Sequence, residues 1–253
     1  MTQTGQSYWE NGQGIETKNN LLDGLARYPF DIIMKPVYGY HGKGVSALDF
    51  VDGVHRFTTD LSLSLRDVFK KILAENPDRY ILQKRLYSHQ SIAEFTGNTV
   101  LQSLRLITCL DENGQPKLII RKIKFPKQGN LIDNFSWGIS NGRLCLIDEY
   151  GKIESFIKYD HIKKYLVRYD YIEDISGKKT EFTIPFWNQC VVLVLNAQKA
   201  FAPLRTIGWD VAVTNEGPFL IEGNVFWDPL TPQEGSMQAI CQLLMALNAP
   251  LVN

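Results

Sequence analysis

Ile207-Gly-Trp-Asp210-Val-Ala-Val-Thr214-Asn-Glu-Gly217-Pro-Phe-Leu-Ile-Glu222-Gly-Asn224 is the stretch on which the fold turns. Two apolar runs, 210–213 and 219–222, flank Asn215-Glu-Gly217, a tight-turn composition, and read together as a β-hairpin. Glu222 and Asn224 are two apart on the second strand, so both face the same side. The hairpin can bring Asp210 alongside them. Two carboxylates and an amide oxygen suit Mg²⁺, which commonly takes one or two carboxylates together with substrate phosphates and water. Both acids sit among Ile207, Trp209, Val211, Phe219, Leu220 and Ile221, where an uncompensated carboxylate is costly. A merely solvated strand edge does not account for that setting.

Far upstream lies Lys35-Pro-Val-Tyr-Gly39-Tyr-His41-Gly42-Lys43-Gly44-Val. Asp31 to Lys35 is an apolar run closed by Pro36, which biases its predecessor toward extended geometry, and Val45 to Phe50 looks like the returning strand. The glycines between them tolerate positive φ and let backbone N–H groups approach phosphate oxygens closely. Lys35 can point at an α- or β-phosphate, Lys43 can reach further out, and His41 faces either the γ-phosphate or solvent. Alone, the segment fits an ordinary glycine-rich hairpin equally well. No helix opens after it and no Ser or Thr follows Lys43, so neither a Walker loop nor a dinucleotide fold is favoured. Taken together, a phosphate cradle and a hard-cation acid set are the two halves of a nucleoside-triphosphate–metal site.

The rest of the chain reads as strands with a few helices: a strand at 80–86, a hairpin of 101–110 and 117–125 around Asp111-Glu-Asn-Gly114, and a turn at 148–151. Helices are expected at 63–76, 187–202 and 233–247. That mixture indicates an α+β architecture. At 253 residues the chain can bury a sizeable core. Its formal net charge of zero gives no general attraction to nucleic acid or an anionic membrane, so any polyanion must be bound locally. Cys109, Cys145, Cys190 and Cys241 are dispersed, with no Cys-x-x-Cys pair, and read as buried thiols of a reducing compartment. The first residues lack the basic and apolar regions of a signal peptide, and the longest apolar run is too short to span a bilayer. A soluble cytoplasmic protein is expected.

Lys35-Pro with the glycine loop, Leu104-Arg105-Leu-Ile-Thr108, Ile132-Asp133-Asn134-Phe-Ser-Trp-Gly138 and the hairpin quoted first together resemble the ATP-grasp superfamily. More narrowly, they are similar to its sugar-transfer-associated branch. The resemblance runs from about residue 30 to 230. It implies ATP clamped between two α+β lobes: a polar arm over 1–20, a small lobe over 21–86 and a large lobe over 87–253. Lys35 with Gly39, His41, Gly42, Lys43 and Gly44 would hold the phosphates. Gln83, Lys84, Arg85 and Leu86 would be the segment whose backbone pairs with adenine, and the register gives His89 or Gln90 near the ribose. Asp210, Glu222 and Asn224 would bind Mg²⁺. Arg105, a fixed and always-charged donor, would stabilise the transferring phosphoryl group with Lys35. Lys124 is preferred to Arg121 as a further phosphate partner, since residues three apart on a strand cannot share a face.

The family implies carboxylate activation through an acyl phosphate that an amine or thiol captures, in a context of cell-surface polysaccharide or secondary-metabolite biosynthesis. The same clamp could serve a kinase of a small-molecule hydroxyl, or a nucleotide-binding subunit without chemistry of its own. Members often carry a Glu where Gln83 stands and an Arg where Gly208 stands. They also have more chain before the Lys-Pro strand than the 34 residues here. A minimal or truncated member is expected, or one completed by a second copy or a partner chain. Asp133-Asn134 serves either a ligand or a turn, and Asp228 is left open as an acid behind the metal ligands.

Overall fold

The computed structural model describes residues 7–8, 14–15, 24–37, 44–64, 67, 80–126, 142–174 and 176–227. The chain divides into two compact units, Met1–Arg85 and Leu86–Asn253. Within the expected arm, β1 (Ser7–Tyr8) pairs antiparallel with β2 (Gly14–Ile15).

The first unit is built on a five-stranded antiparallel sheet. Its strands are β3 (Ile32–Pro36), β4 (Ser46–Val51), β5 (Val54–Phe57), β6 (Asp60–Ser64) and β7 (Tyr80–Lys84), in the spatial order β6-β5-β4-β3-β7. Ile32, Met34 and Leu48 are buried on one face. The alternation then sends Lys35 to the other face with Ile33. The first two residues of the helix expected at 63–76 are the end of β6; most of the remainder lies outside the described residues, as does the helix expected at 233–247.

The second unit carries a seven-stranded antiparallel sheet. A meander of β8 (Ser103–Leu110), β9 (Pro116–Phe125), β10 (Arg143–Ile147), β11 (Ile153–Asp160) and β12 (Tyr165–Tyr169) fills most of it. After the two-residue ladder of β13 (Ile172–Glu173) and β14 (Lys179–Thr180), the hairpin of β15 (Thr206–Thr214) and β16 (Gly217–Asn224) docks on β8, giving the order β12-β11-β10-β9-β8-β15-β16. Turn chemistry recurs: Asp111, Asp148 and Asp174 each accept backbone N–H bonds from residues two and four further on. In each turn a glycine three residues after the Asp takes positive φ (Gly114, Gly151, Gly177).

Two helices, α1 (Gln90–Thr96) and α2 (Trp187–Ala200), cover one face of this sheet. Trp187, Cys190, Val194 and Gln198 form the buried stripe of α2 at helical spacing. They pack with Leu104, Leu106, Ile123, Cys145, Trp209 and Val211. Strand alternation therefore sends Arg105, Lys122, Lys124 and Asp210 to the opposite face. Among the described residues, no helix is long and apolar enough to cross a membrane.

Candidate phosphate and metal site

On that opposite face, four neighbouring strands place one residue each in a continuous row. Lys122 on β9 stands opposite Arg105 on β8, Arg105 opposite Asp210 on β15, and Asp210 opposite Glu222 on β16. Residues directly opposite in an antiparallel pair share a face. Lys124 lies two residues beyond Lys122 and Asn224 two beyond Glu222, so both join this face. Flanking the lysines, Leu146 and Leu144 on β10 are their cross-strand partners. Across the sheet the face thus passes from apolar through cationic to acidic.

The centre of the row is an ion pair. Arg105 Nε donates to Asp210 Oδ1 at 2.7 Å and Nη2 to Oδ2 at 3.0 Å, the two-pronged geometry that only a guanidinium offers a carboxylate. Lys124 Nζ is 3.6 Å from Asp210 Oδ1. Asp210 and Lys124 are each only 7% exposed, and these mutual charges are what make their burial tolerable. Glu222, on the edge strand, is exposed, so the apolar setting expected of both acids holds for Asp210 alone; the residues flanking Glu222 in sequence do not enclose a side chain at the rim of the sheet. Asn224 Nδ2 donates to Glu222 Oε1 at 3.3 Å and to the Gly208 carbonyl at 3.4 Å, which leaves the amide oxygen of Asn224 as an acceptor.

Glu222 reaches this face through a β-bulge. Gly208, Trp209 and Asp210 pair with Asn224, Gly223 and Glu222, but Val211 pairs with Leu220, leaving Ile221 as an extra residue on β16. Without it, Asp210 would oppose Ile221, and Glu222 would oppose Trp209 on the helix-covered face. Trp209 is held there by its indole N–H bond to Thr108 Oγ1 at 2.8 Å, and Thr108 donates to Gln198 Oε1 at 2.6 Å. The site face and the core face of β15 are each pinned by their own side chains.

The sequence singled out Asp210, Glu222, Asn224, Arg105 and Lys124, and the structure brings these together. Arg121 pairs with Leu106 on the helix-covered face, away from them. Lys122 was passed over, although its signal was present: Lys-x-Lys spacing on an alternating strand puts both amines on one side. Gly208 stands where the resemblance expects an arginine, and the space beside it is filled. A Cβ there would meet Trp227 Cβ at 2.6 Å, and the Trp227 indole N–H donates to Thr206 Oγ1 at 3.2 Å.

In the first unit, Lys35 pairs with Ile81 and Ile33 with Gln83, so Lys35 and Gln83 present their side chains on one face. Arg85 N donates to Asp31 O at 2.7 Å. Antiparallel alternation then commits the backbone groups of Gln83 to β3 and turns those of Lys84 outward. The Arg85 guanidinium bonds Asp49 at 2.9 Å and Thr58 at 3.2 Å. Gly44 takes φ +77°, a conformation that glycine supplies without strain, and a Cβ there would lie 3.3 Å from Pro36 Cγ. Gly39, His41, Gly42, Lys43, Asp133, Asn134 and Asp228 lie outside the described residues.

Near the hairpin tip, Gln90 N donates to Asn215 Oδ1 at 2.8 Å and Gln90 Nε2 to Glu94 at 2.7 Å. His89 N donates to the Val213 carbonyl. These two residues tie α1 to the β15–β16 hairpin. Val213 is three residues along β15 from Asp210, about 10 Å away.

The donor set of Asp210, Glu222 and Asn224 is all oxygen and fits a hard divalent cation such as Mg²⁺. Among the described residues, no three His, Cys, Asp or Glu side chains gather at one point. Burial pushes the thiols of Cys109 and Cys145 above their usual range and that of Cys190 up to about 12, so none of them is a ready nucleophile. What this face can do is orient and neutralise a polyanion carrying a metal.

A model of the family described as sugar-transfer associated ATP-grasp matches residues 6–244. Among solved structures, the chain is similar to the D-alanine–D-alanine ligase from Bacillus anthracis at 14% identity, with a TM-score of 0.41. That similarity covers 91% of this chain and 56% of the other, so the chain spans little more than half of that enzyme's length. No curated protein matches the chain in sequence.

Proposed function

Because the chain belongs to the sugar-transfer-associated ATP-grasp family, we propose that it is an ATP- and Mg²⁺-dependent ligase joining a small-molecule carboxylate to an amine or thiol through an acyl phosphate. The observation that carries this reading is the row of Lys124, Arg105, Asp210, Glu222 and Asn224 on one face of the seven-stranded sheet. It offers cations beside a hard-metal donor set and no nucleophile, an arrangement for positioning and charge neutralisation.

Asp210, Glu222 and Asn224 would hold Mg²⁺, which when bound would neutralise phosphate charge. Arg105 and Lys124 would face the oxygens of the transferring phosphoryl group. Arg105 is already fixed by Asp210, so little reorganisation is needed as charge develops. Within the first unit, Lys35 offers a charge suited to a phosphate, and Lys84 offers outward backbone groups suited to the edge of a base.

The chemistry balances in two steps. A carboxylate oxygen of the substrate attacks the γ-phosphorus, the bond to the β–γ bridging oxygen breaks, and ADP leaves with that electron pair. The amine or thiol then adds to the acyl carbon, inorganic phosphate departs, and the nucleophile's proton is lost to solvent. Substrates of cell-surface polysaccharide or secondary-metabolite assembly fit the family's name, and the reducing cytoplasm fits the free buried thiols.

The test is a matrix of carboxylates against amines and thiols, scored for ADP and phosphate release. A ligase releases phosphate only when both partners are present. A phosphorylated alcohol as product would replace this reading with that of a kinase, and ATP binding without turnover on any pair would replace it with that of a binding subunit.

A further inference from the structure

The turn from β11 to β12 departs from the three other Asp-led turns of its unit. Asp111, Asp148 and Asp174 are each followed by a glycine in the left-handed region. Here Asp160 Oδ1 accepts the backbone N–H groups of Ile162 and Lys163, both at 2.9 Å. The left-handed position then falls on Lys164, at φ +61°, with its N–H bonded to the Asp160 carbonyl at 2.7 Å. A lysine takes that conformation at a cost that glycine avoids. At the apex Ile162 is 93% exposed, and Tyr165, where β12 begins, is 50% exposed.

A single exposed apolar side chain is ordinary; this one stands among cations. Lys158-Tyr-Asp160-His-Ile162-Lys-Lys-Tyr165 holds three lysines against one acid, a local excess that the zero net charge of the whole chain hides. The one acid is turned inward by its bonds to the turn backbone. Lys163 Nζ is 4.0 Å from Asp160 Oδ2 and 5.8 Å from the centre of the Tyr165 ring, yet its side chain remains 56% exposed. Lys164 is exposed as well.

An apolar apex flanked by a tyrosine and lysines fits an anionic lipid surface. Ile162 would enter the acyl boundary, the Tyr165 ring would sit at headgroup level, and the amines would stay with the lipid phosphates. A nucleic-acid backbone would take the lysines but offers Ile162 no apolar medium. In the sheet order β11 is four strands from β15, about 20 Å from the row around Asp210. We propose that the β11–β12 turn is a peripheral contact for an anionic membrane surface, with Ile162 inserted and Lys163 and Lys164 on the headgroups. The inference is independent of the ATP reading.

Sedimentation of the full chain with vesicles tests it, using phosphatidylcholine alone and phosphatidylcholine mixed equally with phosphatidylserine. Wild type should bind the mixed vesicles, more weakly as salt is raised, and leave the neutral ones in suspension. Ile162→Ser should weaken binding about 10-fold, and Lys163→Gln about five-fold. Lys164→Gly relieves the left-handed turn, so its denaturation midpoint should not fall while its vesicle affinity drops about five-fold. That split separates a lipid contact from a structural lysine. Failure of wild type to bind the anionic vesicles overturns the inference, as does equal binding to both kinds or an undiminished affinity in these variants. Binding of a single-stranded oligonucleotide through the same lysines in place of vesicles overturns it too, and assigns the turn to nucleic acid.

Discussion

Asp210 and Glu222 stand opposite one another across β15 and β16 because Ile221 is an extra residue on the second strand. A one-residue slip moves a side chain to the other face of a sheet, so the bulge decides whether the two acids meet. Deleting Ile221 should leave a folded hairpin in continuous register, with Leu220 opposite Val211 and Glu222 still opposite Asp210. Mg²⁺-dependent nucleotide affinity should then be retained; its loss would show that the bulge itself, and not the pairing of the two acids, holds the site. Circular dichroism checks the fold and a Mg²⁺ titration of nucleotide binding checks the site.

Arg105 and Asp210 are a nearly buried pair, with side chains 14% and 10% exposed. Removing one partner of such a pair costs about 3–5 kcal/mol, because the other is left uncompensated. Arg105→Met should lose stability on that scale in urea denaturation, with Lys124 still 3.6 Å from Asp210. The turnover rate should fall about 10²- to 10³-fold, as for loss of one preorganised donor. Arg105→Lys keeps the charge but not the fork and should fall between.

Gly208 is a packing position. Its missing side chain makes room for Trp227, whose Cβ would lie 2.6 Å from an added methyl group. Gly208→Ala should destabilise by about 1–3 kcal/mol, the usual range for overpacking. Adding Trp227→Ala should recover part of that loss. Denaturation midpoints of the single and double variants measure the coupling.

His55 makes the first unit sensitive to acid. Its Nε2 is 3.1 Å from the Phe30 carbonyl, and its ring lies tilted against Phe50 with the centroids 5.0 Å apart. Burial lowers its pKa below 6.5, against the opposing influence of the Phe30 and Tyr28 carbonyls and Asp31. The unfolded chain therefore takes up the proton first. The contribution is complete above about pH 6.5 and is lost as pH falls through the lowered value. Amide protection in β3, β4 and β5, taken relative to the intrinsic exchange rate at each pH, should decrease below that pH, and His55→Gln should flatten the dependence.

Much of the site was legible because its residues announce themselves locally. Glu222 and Asn224 share a face by spacing alone, and Asn215-Glu-Gly217 marks the turn that folds Asp210 back. Arg105 came through resemblance, and its bond to Asp210 depends on which strands become neighbours. Lys122 escaped notice for the same reason: opposite Arg105 it joins the row, and that pairing is a long-range fact. The bulge at Ile221 has no sequence signature, since an apolar residue in an apolar strand reads as regular. Strands β10 and β11 were missed because Leu144, Cys145, Ile153 and Ile157 are buried on both sheet faces, which erases the alternation that marks a half-exposed strand. Helix α1 has only seven residues and is capped by His89 rather than Ser or Asp, so its start was silent too.

The most direct test of the account is the Mg²⁺ dependence of ATP affinity in wild type and Glu222→Gln. Glu222 is exposed, so its neutral replacement should leave the fold intact. If the row binds a metal–triphosphate, Mg²⁺ tightens ATP binding in wild type, and the substitution removes most of that gain while sparing metal-free binding. An equal gain from Mg²⁺ in both proteins would contradict it.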